Sequence, residues 1–210
     1  IWGLHASIAA LKNNKRNIVN IFCTQLVFDK HIKEKVKLTS LINIVKNNDL
    51  NKLLEDKITH QGIVIETKPL NYPNLDDVID GNNIMIALDQ VTDPQNVGAI
   101  IRTFNFFGGE NLLITKDHSS EINGSVAKSA SGALESVNMI KVTNLSMTLK
   151  KMRKKGFIII GLDENSHVML HSTKDYSNEK KVLVMGSEGK GLRRLTKENC
   201  DFLVSIANNN

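Results

Sequence analysis

The sequence has few residues that could build a metal site or a membrane segment. It contains two cysteines, Cys23 and Cys200, which stand far apart and form no metal-ligand pattern. The six histidines include no His-Glu-x-x-His motif, so we expect no catalytic metal. No apolar run reaches the roughly 18 residues of a membrane span, and no signal peptide opens the sequence. These absences predict a cytoplasmic protein with reduced cysteines and no membrane partner.

The positive charge is concentrated at the amino-terminal end. Residues 1–60 contain ten Lys or Arg and five Asp or Glu, a net charge of +5, whereas residues 61–210 contain seventeen of each kind. The whole formal excess therefore lies in the first 60 residues. This distribution predicts a module that contacts a polyanion such as a nucleic acid. A lysine-rich, solvated surface is the alternative interpretation.

The apolar pattern of the first 68 residues predicts a small α/β domain. Short strand-like runs occur at 18–22, 41–45 and 63–66, and helical patterns occur at 4–11, 29–37 and 49–54. From 69 to 82 the composition changes to proline, asparagine and aspartate without apolar periodicity, which indicates a linker. We therefore predict domains at 1–68 and 83–210.

The second domain is predicted to contain a parallel sheet with helices on both faces. Strand patterns occur at 84–88, 112–115, 137–142, 157–160, 182–185 and 202–206. Helices are expected at 96–107 and 126–134, between a cap at Asn144 and a stop at Gly156, and from Leu192 onward. Ligands of such sheets bind at the carboxyl ends of the strands.

A glycine-rich loop follows the strand at 182–185. It reads Gly186-Ser187-Glu188-Gly189-Lys190-Gly191, and its glycines would let a ligand approach the backbone closely. The loop is not a phosphate-binding P-loop, because Leu192 and Arg193 follow where that motif needs Lys and Ser or Thr. Its glycine spacing is also wrong for a dinucleotide fingerprint. An ordinary strand-to-helix turn stays open as an alternative.

A second stretch with its own chemical logic opens the helix at 96–107. Asp93-Pro94 sets a turn, Asn96 begins the helix, and Arg102 follows six residues later, about 9 Å along the helix axis. A guanidinium near a slim helix start could hold a phosphate. In the alternative interpretation, Arg102 pairs with an acidic residue for structural reasons.

Together these segments resemble the SpoU (TrmH) family of RNA ribose 2′-O-methyltransferases. The first family motif is matched by Asp89-x-x-x-Asp93-Pro94-x-Asn96-x-Gly98-Ala99-x-x-Arg102 and the second by Gly186-Ser187-Glu188-Gly189-x-Gly191. Trp2-Gly3-Leu4-His5-Ala6 and His60-Gln61-Gly62-Ile63-Val64 are similar to the RNA-binding module of members that modify large-subunit rRNA. The resemblance covers nearly the whole chain.

The resemblance implies a fold, a cofactor and an assembly. The second domain would be a SPOUT sheet whose carboxyl-terminal end is tucked into a trefoil knot, and the first would be like ribosomal protein L30e. S-adenosylmethionine would bind in the knot, at positions that match Gly186, Ile206 and, more weakly, Leu162. Members act as homodimers on RNA, not DNA. The most specific expectation is methylation of a guanosine in large-subunit rRNA.

The same resemblance assigns catalytic roles to three residues. Asn96 and Glu188 would orient the ribose hydroxyl, and Arg102 would bind the adjacent phosphate and stabilise the alkoxide. A guanidinium stays protonated in proteins, so we favour this electrostatic role for Arg102 and leave the general base open. No metal is required.

Three other functions fit parts of the pattern. The substrate could be tRNA, the fold could serve a non-catalytic RNA-binding or ribosome-assembly protein, or the methyl acceptor could be a base. The presence of both Arg102 and Glu188 argues against a non-catalytic protein, and the spacing from Asn96 to Arg102 favours ribose. The third family motif and its closing helix have no match before Asn210, so we expect them to lie beyond it.

Overall fold

Two β-sheets organise the chain in a computed structural model that describes residues 1–33, 39–54, 58–81, 84–170 and 179–206. The contacts divide the chain into two compact units. The first unit comprises residues 1–71, 94–103 and 121–136, and the second comprises residues 72–93, 104–120 and 137–210. No helix in the described ranges is long and apolar enough to cross a membrane.

The first unit contains a three-stranded sheet in the order β2-β1-β3. Strand β1 pairs in parallel with β2 and antiparallel with β3. The apolar side of helix α1 packs against the core of this sheet, in which Ile21 and Ile63 are fully buried. The elements are β1 (Ile18–Cys23), β2 (Ile42–Ile44), β3 (Ile63–Thr67), α1 (Leu4–Lys12), α2 (Gln25–Val27) and α3 (Asn47–Leu53).

The predicted strands and the helices at 4–11 and 49–54 of this unit are confirmed, with shifts of one or two residues at their ends. The helix predicted at 29–37 begins earlier, because the Thr24 side chain accepts a hydrogen bond from the Val27 amide and caps α2. The helix then continues as a π-helical segment, Phe28–Ile32. Residues 34–37 of that prediction lie outside the described residues.

The first unit also contains most of α5 (Pro94–Phe106) and all of α6 (Gly124–Ser129). The helix predicted at 126–134 is wrong in length. Ser131 and Gly132 have φ angles of 52° and 96°, and a residue in this left-handed region ends a right-handed helix. A short 3₁₀ turn, Ala133–Glu135, follows instead.

A buried ion pair ties residues 121–136 to the amino-terminal segment of the first unit. Arg16 donates from Nη2 to Glu135 Oε1 (2.5 Å) and from Nε to Oε2 (3.1 Å). Asn13 also donates to Oε2, at 2.7 Å. The side chains of Arg16 and Glu135 are only 5% and 7% exposed. A charge buried this deeply depends on its partner.

We expect Glu135→Gln to lower the free energy of unfolding by about 3 kcal/mol, because it leaves the buried Arg16 without a countercharge. Chemical denaturation measures the loss. The matched control is Glu198→Gln, which removes an exposed ion pair with Arg194 and should cost about 1 kcal/mol or less. Equal losses in the two variants would contradict the importance given to the Arg16 pair.

The second unit contains a six-stranded sheet in the order β6-β5-β4-β8-β7-β9, with every pair parallel. Apolar strands such as β4 and β5 are buried almost throughout, as expected when a parallel sheet is covered. The strands are β4 (Ile84–Asp89), β5 (Asn111–Thr115), β6 (Asn138–Val142), β7 (Ile158–Leu162), β8 (Lys181–Gly186) and β9 (Phe202–Val204).

The helices of this unit follow the predictions less closely than its strands do. Asn144 caps α7 (Leu145–Lys154) as predicted, by accepting from the Met147 amide. The helix predicted from Leu192 is wrong at its start, because α8 spans only Arg194–Lys197. The strand predicted at 202–206 ends at Val204, and Ser205 forms only an isolated bridge.

The predicted linker at 69–82 is not irregular throughout. Helix α4 (Leu75–Val78) forms within it, and Asp77 accepts a hydrogen bond from the Asn74 amide at 2.8 Å. Ile79 is buried in the core of the second unit, and Leu75 packs against the same core. The composition concealed this helix because a single turn offers too few apolar positions for periodicity. The domain boundaries stay a prediction.

Candidate active site

The carboxyl ends of four neighbouring parallel strands form one edge of the large sheet. In the order β4-β8-β7-β9, Asp89 lies opposite Gly186 and Leu162 lies opposite Val204. The strand order reverses between β4 and β8: β5 and β6 follow on one side, β7 and β9 on the other. A reversal of this kind opens a ligand-binding crevice at the carboxyl ends of the strands.

All three positions predicted to bind the cofactor lie at this edge. Gly186 ends β8, Leu162 ends β7, and Ile206 follows the end of β9 by two residues. Leu162 is half-buried, and Ile206 is 66% exposed. The sheet register pairs Leu162 with Val204, and the chain from Val204 continues directly to Ile206.

The glycine-rich loop folds back tightly on its own beginning. Ser187 and Gly191 form an antiparallel bridge, in which the Gly191 amide donates to the Ser187 carbonyl at 2.9 Å. A Cβ at position 186 would lie 2.2 Å from the Gly191 carbonyl carbon and 2.5 Å from the Leu192 nitrogen. Only glycine fits there, and Glu188 lies exposed in the turn.

This edge fits the cofactor that the sequence suggests. Leu162 and Ile206 are apolar and not buried, and a Cβ added at Gly189 or Gly191 would meet nothing within 4 Å, so a ligand can approach the loop backbone there. Such a combination of apolar lining and backbone groups is typical of small-molecule sites.

The other two predicted catalytic residues lie on α5, in the first unit. Asn96 is half-buried near the start of the helix, and Arg102 is exposed almost two turns later. Arg102 has no ion-pair partner among the residues that the structure describes. Its interpretation as one half of a structural ion pair is therefore not supported. The roles of these residues stay predictions.

The sequence did not reveal an ion pair that lies at this edge. Asp89 is fully buried, and its carboxylate accepts from the Arg193 amide at 2.9 Å and from Arg193 Nε at 2.7 Å. This pair ties the end of β4 to the residues just beyond the glycine-rich loop. In the sequence, Asp89 opens the first family motif and directly continues an apolar strand, but neither signal identifies Arg193 as its partner.

A second ion pair holds the turn that follows β7. Lys197 lies 2.5 Å from Asp163, whose side chain is only 11% exposed. The hydrogen bond from Lys197 lowers the pKa of Asp163 below its usual 3.8, and the Asn165 amide also donates to this carboxylate. A carboxylate whose pKa is lower in the folded state stabilises the protein above its unfolded-state pKa.

We therefore expect Asp163→Asn to lower the free energy of unfolding by about 1–2 kcal/mol at pH 7, the scale of a charged hydrogen bond. The difference in free energy of unfolding between the variant and the unchanged protein should shrink when the pH falls below 3.8. It should shrink further as the pH passes through the lowered pKa of Asp163. Denaturant titrations from pH 7 to pH 3 measure this trend. A difference that is constant with pH would mean that the charge of Asp163 contributes nothing.

Neither cysteine is suited to nucleophilic chemistry. Burial raises the pKa of both the Cys23 and Cys200 thiols to about 11. The thiolate is the reactive form, so both stay protonated at neutral pH. Both are free cysteines.

Comparisons with known proteins connect both parts of the chain to one family. Residues 83–210 match the model of the SpoU rRNA Methylase family, and residues 1–73 match the model of an RNA 2′-O ribose methyltransferase substrate-binding domain. The 23S rRNA (guanosine-2′-O-)-methyltransferase RlmB of Ralstonia nicotianae is 36% identical over 211 residues, which cover 97% of this chain and 84% of that protein. The RlmB of Neisseria meningitidis is 36% identical over 214 residues, with 98% and 84% covered.

Solved structures agree on the fold. The SpoU methyltransferase AviRb from Streptomyces viridochromogenes, in complex with AdoMet, is similar with a TM-score of 0.80 and 19% identity, over 100% of this chain and 81% of that one. An AdoMet-bound rRNA methyltransferase from Sinorhizobium meliloti has a TM-score of 0.80 and 20% identity, over 100% and 78%. At these identities the likeness concerns the fold alone, whereas the family models and the RlmB relatives concern sequence. The chain belongs to the SpoU rRNA methylase family.

Proposed function

We propose that this protein methylates the ribose 2′-hydroxyl of a guanosine in 23S rRNA, with S-adenosylmethionine as the methyl donor. The observation that carries the proposal is similarity to RlmB enzymes over 97% of the chain at 36% identity. The edge formed by Gly186, Leu162 and Ile206 supports the choice of cofactor.

The chemical task explains the residues that the chain supplies. S-adenosylmethionine provides a methyl group that is activated by a positively charged sulfur. A ribose hydroxyl is a poor nucleophile, so the protein must orient it and help it lose its proton. Glu188, exposed in the turn of the glycine-rich loop, can accept hydrogen bonds and orient a hydroxyl. The Asn96 amide can both donate and accept.

For Arg102 we propose an electrostatic role. The side chain is exposed and has no ion-pair partner in the described part of the chain, so its five N–H donors are available to a ligand. A phosphate beside the target ribose suits a planar guanidinium, and the same charge stabilises an oxyanion as it forms.

The finer features of the fold are part of the proposal. We assign a trefoil knot to the carboxyl-terminal part of the sheet, supported by the match of residues 83–210 to the family. We assign an L30e-like fold and an RNA-binding role to the amino-terminal module. The substrate-binding match of residues 1–73 and the net charge of +5 over residues 1–60 support this assignment. Since the proposed substrate is 23S rRNA, we place the protein in the cytoplasm.

We also propose that the protein is a homodimer. Phe106 and Phe107 are 81% and 79% exposed, and their rings meet edge to face with centroids 5.3 Å apart. Two exposed aromatic rings side by side are typical of a surface that another protein covers. Sedimentation of the full chain tests the dimer directly.

Methyl transfer by the purified chain tests the proposed activity. We expect labelled methyl groups to pass from S-adenosylmethionine to a 23S rRNA transcript. The labelled position should resist alkaline cleavage, because a methylated 2′-oxygen cannot attack the neighbouring phosphate. Label found on a base instead of a ribose would contradict the proposal. Label that enters tRNA but not rRNA would contradict it as well.

A further inference from the structure

The contact between Asp89 and Arg193 does more than neutralise a buried charge. The two carboxylate oxygens accept hydrogen bonds from Arg193, one from its backbone amide at 2.9 Å and one from Nε at 2.7 Å. Both ends of the flexible stem are thus fixed to one buried carboxylate. Because the guanidinium is planar and rigid, an anchor at Nε fixes the plane that contains its two terminal nitrogens.

Those terminal nitrogens have no acceptor among the residues that the structure describes. The Arg193 side chain is 45% exposed although its anchor, Asp89, is completely buried. A guanidinium has five N–H donors, and Asp89 uses only the one on Nε. Four donors therefore remain available on one oriented plane.

Other anchored arginines in the chain differ in this respect. Arg16 also donates from Nη1 and Nη2, to the Lys68 carbonyl and to Glu135. Arg153 pairs through Nε with Asp201 and donates from Nη2 to the Asn199 carbonyl at 2.6 Å. Their terminal nitrogens hold the protein's own structure together. The terminal nitrogens of Arg193 do not.

The location of Arg193 indicates which ligand these donors would bind. The residue follows the glycine-rich loop by two positions, and its anchor ends β4 opposite Gly186. A substrate whose ribose is methylated at this edge brings one phosphate for each nucleotide. Planar, bidentate donors are the side-chain groups best matched to a phosphate, and a group that is already oriented loses little entropy on binding.

We infer that Arg193 binds a backbone phosphate of the RNA substrate, and that Asp89 is the positioning residue that holds its guanidinium in place. This inference rests on the proposed function and adds a substrate contact to it. Arg193 is a binding residue with no part in proton transfer.

The test compares Arg193→Gln with the unchanged full chain on a 23S rRNA transcript. Loss of one charged hydrogen-bonding contact should weaken RNA binding and raise the KM for RNA about tenfold, with kcat within about twofold. The slope of log affinity against log salt concentration should fall by about one phosphate contact. The Kd of S-adenosylhomocysteine should not change.

Two further variants separate this contact from a structural role. Arg193→Gln leaves the buried Asp89 without its countercharge, which can destabilise the fold. The double variant Asp89→Asn with Arg193→Gln removes that problem and should show the same rise in KM at a normal melting temperature. Arg194→Gln is the control, because Arg194 already pairs with Glu198 on the surface; its KM should not change.

Three outcomes decide the inference. Normal RNA affinity in both Arg193 variants would overturn it, and so would weaker binding of S-adenosylhomocysteine at an unchanged KM for RNA. A tenfold loss of RNA affinity that persists in the double variant supports it. If the unchanged protein transferred no methyl group to rRNA, the proposed function would fail. RNA affinity measured by filter binding would still test the Arg193 contact.

Discussion

Replacing Arg102 with alanine should reduce kcat for methyl transfer at least about 100-fold, the typical cost of losing one transition-state charge contact. The side chain is exposed and has no ion-pair partner in the described ranges, so its removal should leave the fold intact. The Kd of S-adenosylmethionine should hardly change. Single-turnover kinetics with saturating rRNA transcript measures the effect on the chemical step.

Two variants of the same helix sharpen this prediction. Arg102→Lys keeps the charge but loses the planar fork, so its activity should lie between those of the alanine variant and the unchanged protein. Thr103→Ala changes the next exposed position of α5 and should have little effect. A rise in KM for RNA at unchanged kcat would show that Arg102 only binds the substrate and does not stabilise the transition state.

Replacing Gly186 with alanine should be at least as damaging, for a different reason. The added Cβ would lie 2.2 Å from the Gly191 carbonyl carbon, and backbone cannot move aside as the end of a flexible side chain can. The loop that carries Glu188 must then shift. A displacement of about 1 Å at a reacting centre can cost about 100-fold in rate, and we expect weaker binding of S-adenosylmethionine as well.

Calorimetry with S-adenosylmethionine and methyl-transfer assays measure the two effects of Gly186→Ala. The control is Gly81→Ala, where an added Cβ meets nothing closer than the Val78 carbonyl oxygen at 4.0 Å. That variant should bind the cofactor normally. Normal cofactor affinity in Gly186→Ala would mean that the tight return of the loop has no importance for the site.

The sequence was most informative where local patterns decide the structure. Six of six predicted strands in the second unit are present, because short apolar runs between turn residues allow few other structures. The cap at Asn144 and the helix that carries Asn96 and Arg102 were predicted for the same local reason. The positions of Gly186, Leu162 and Ile206 came from resemblance, and the parallel order of β8, β7 and β9 explains why all three lie at the same edge of the sheet.

Features that depend on distant partners could not be predicted. Asp89 and Arg193 are 104 positions apart, and neither residue alone signals the other. The helix predicted at 126–134 looked continuous in apolar residues, yet its end is set by the left-handed backbone at Ser131 and Gly132. Helix α4 could not be predicted from the sequence, because the burial of Ile79 in the core of the second unit stabilises it. Such burial is a tertiary effect.

Mapping 2′-O-methylated nucleotides in total RNA, with and without this protein in the cell, tests the proposed activity in its natural setting. We predict that one guanosine in 23S rRNA loses its 2′-O-methyl group when the gene is removed. The unchanged gene should restore that methyl group, and the Arg102→Ala gene should not. An unchanged methylation map of 23S rRNA, or a loss confined to tRNA, would contradict the function proposed here.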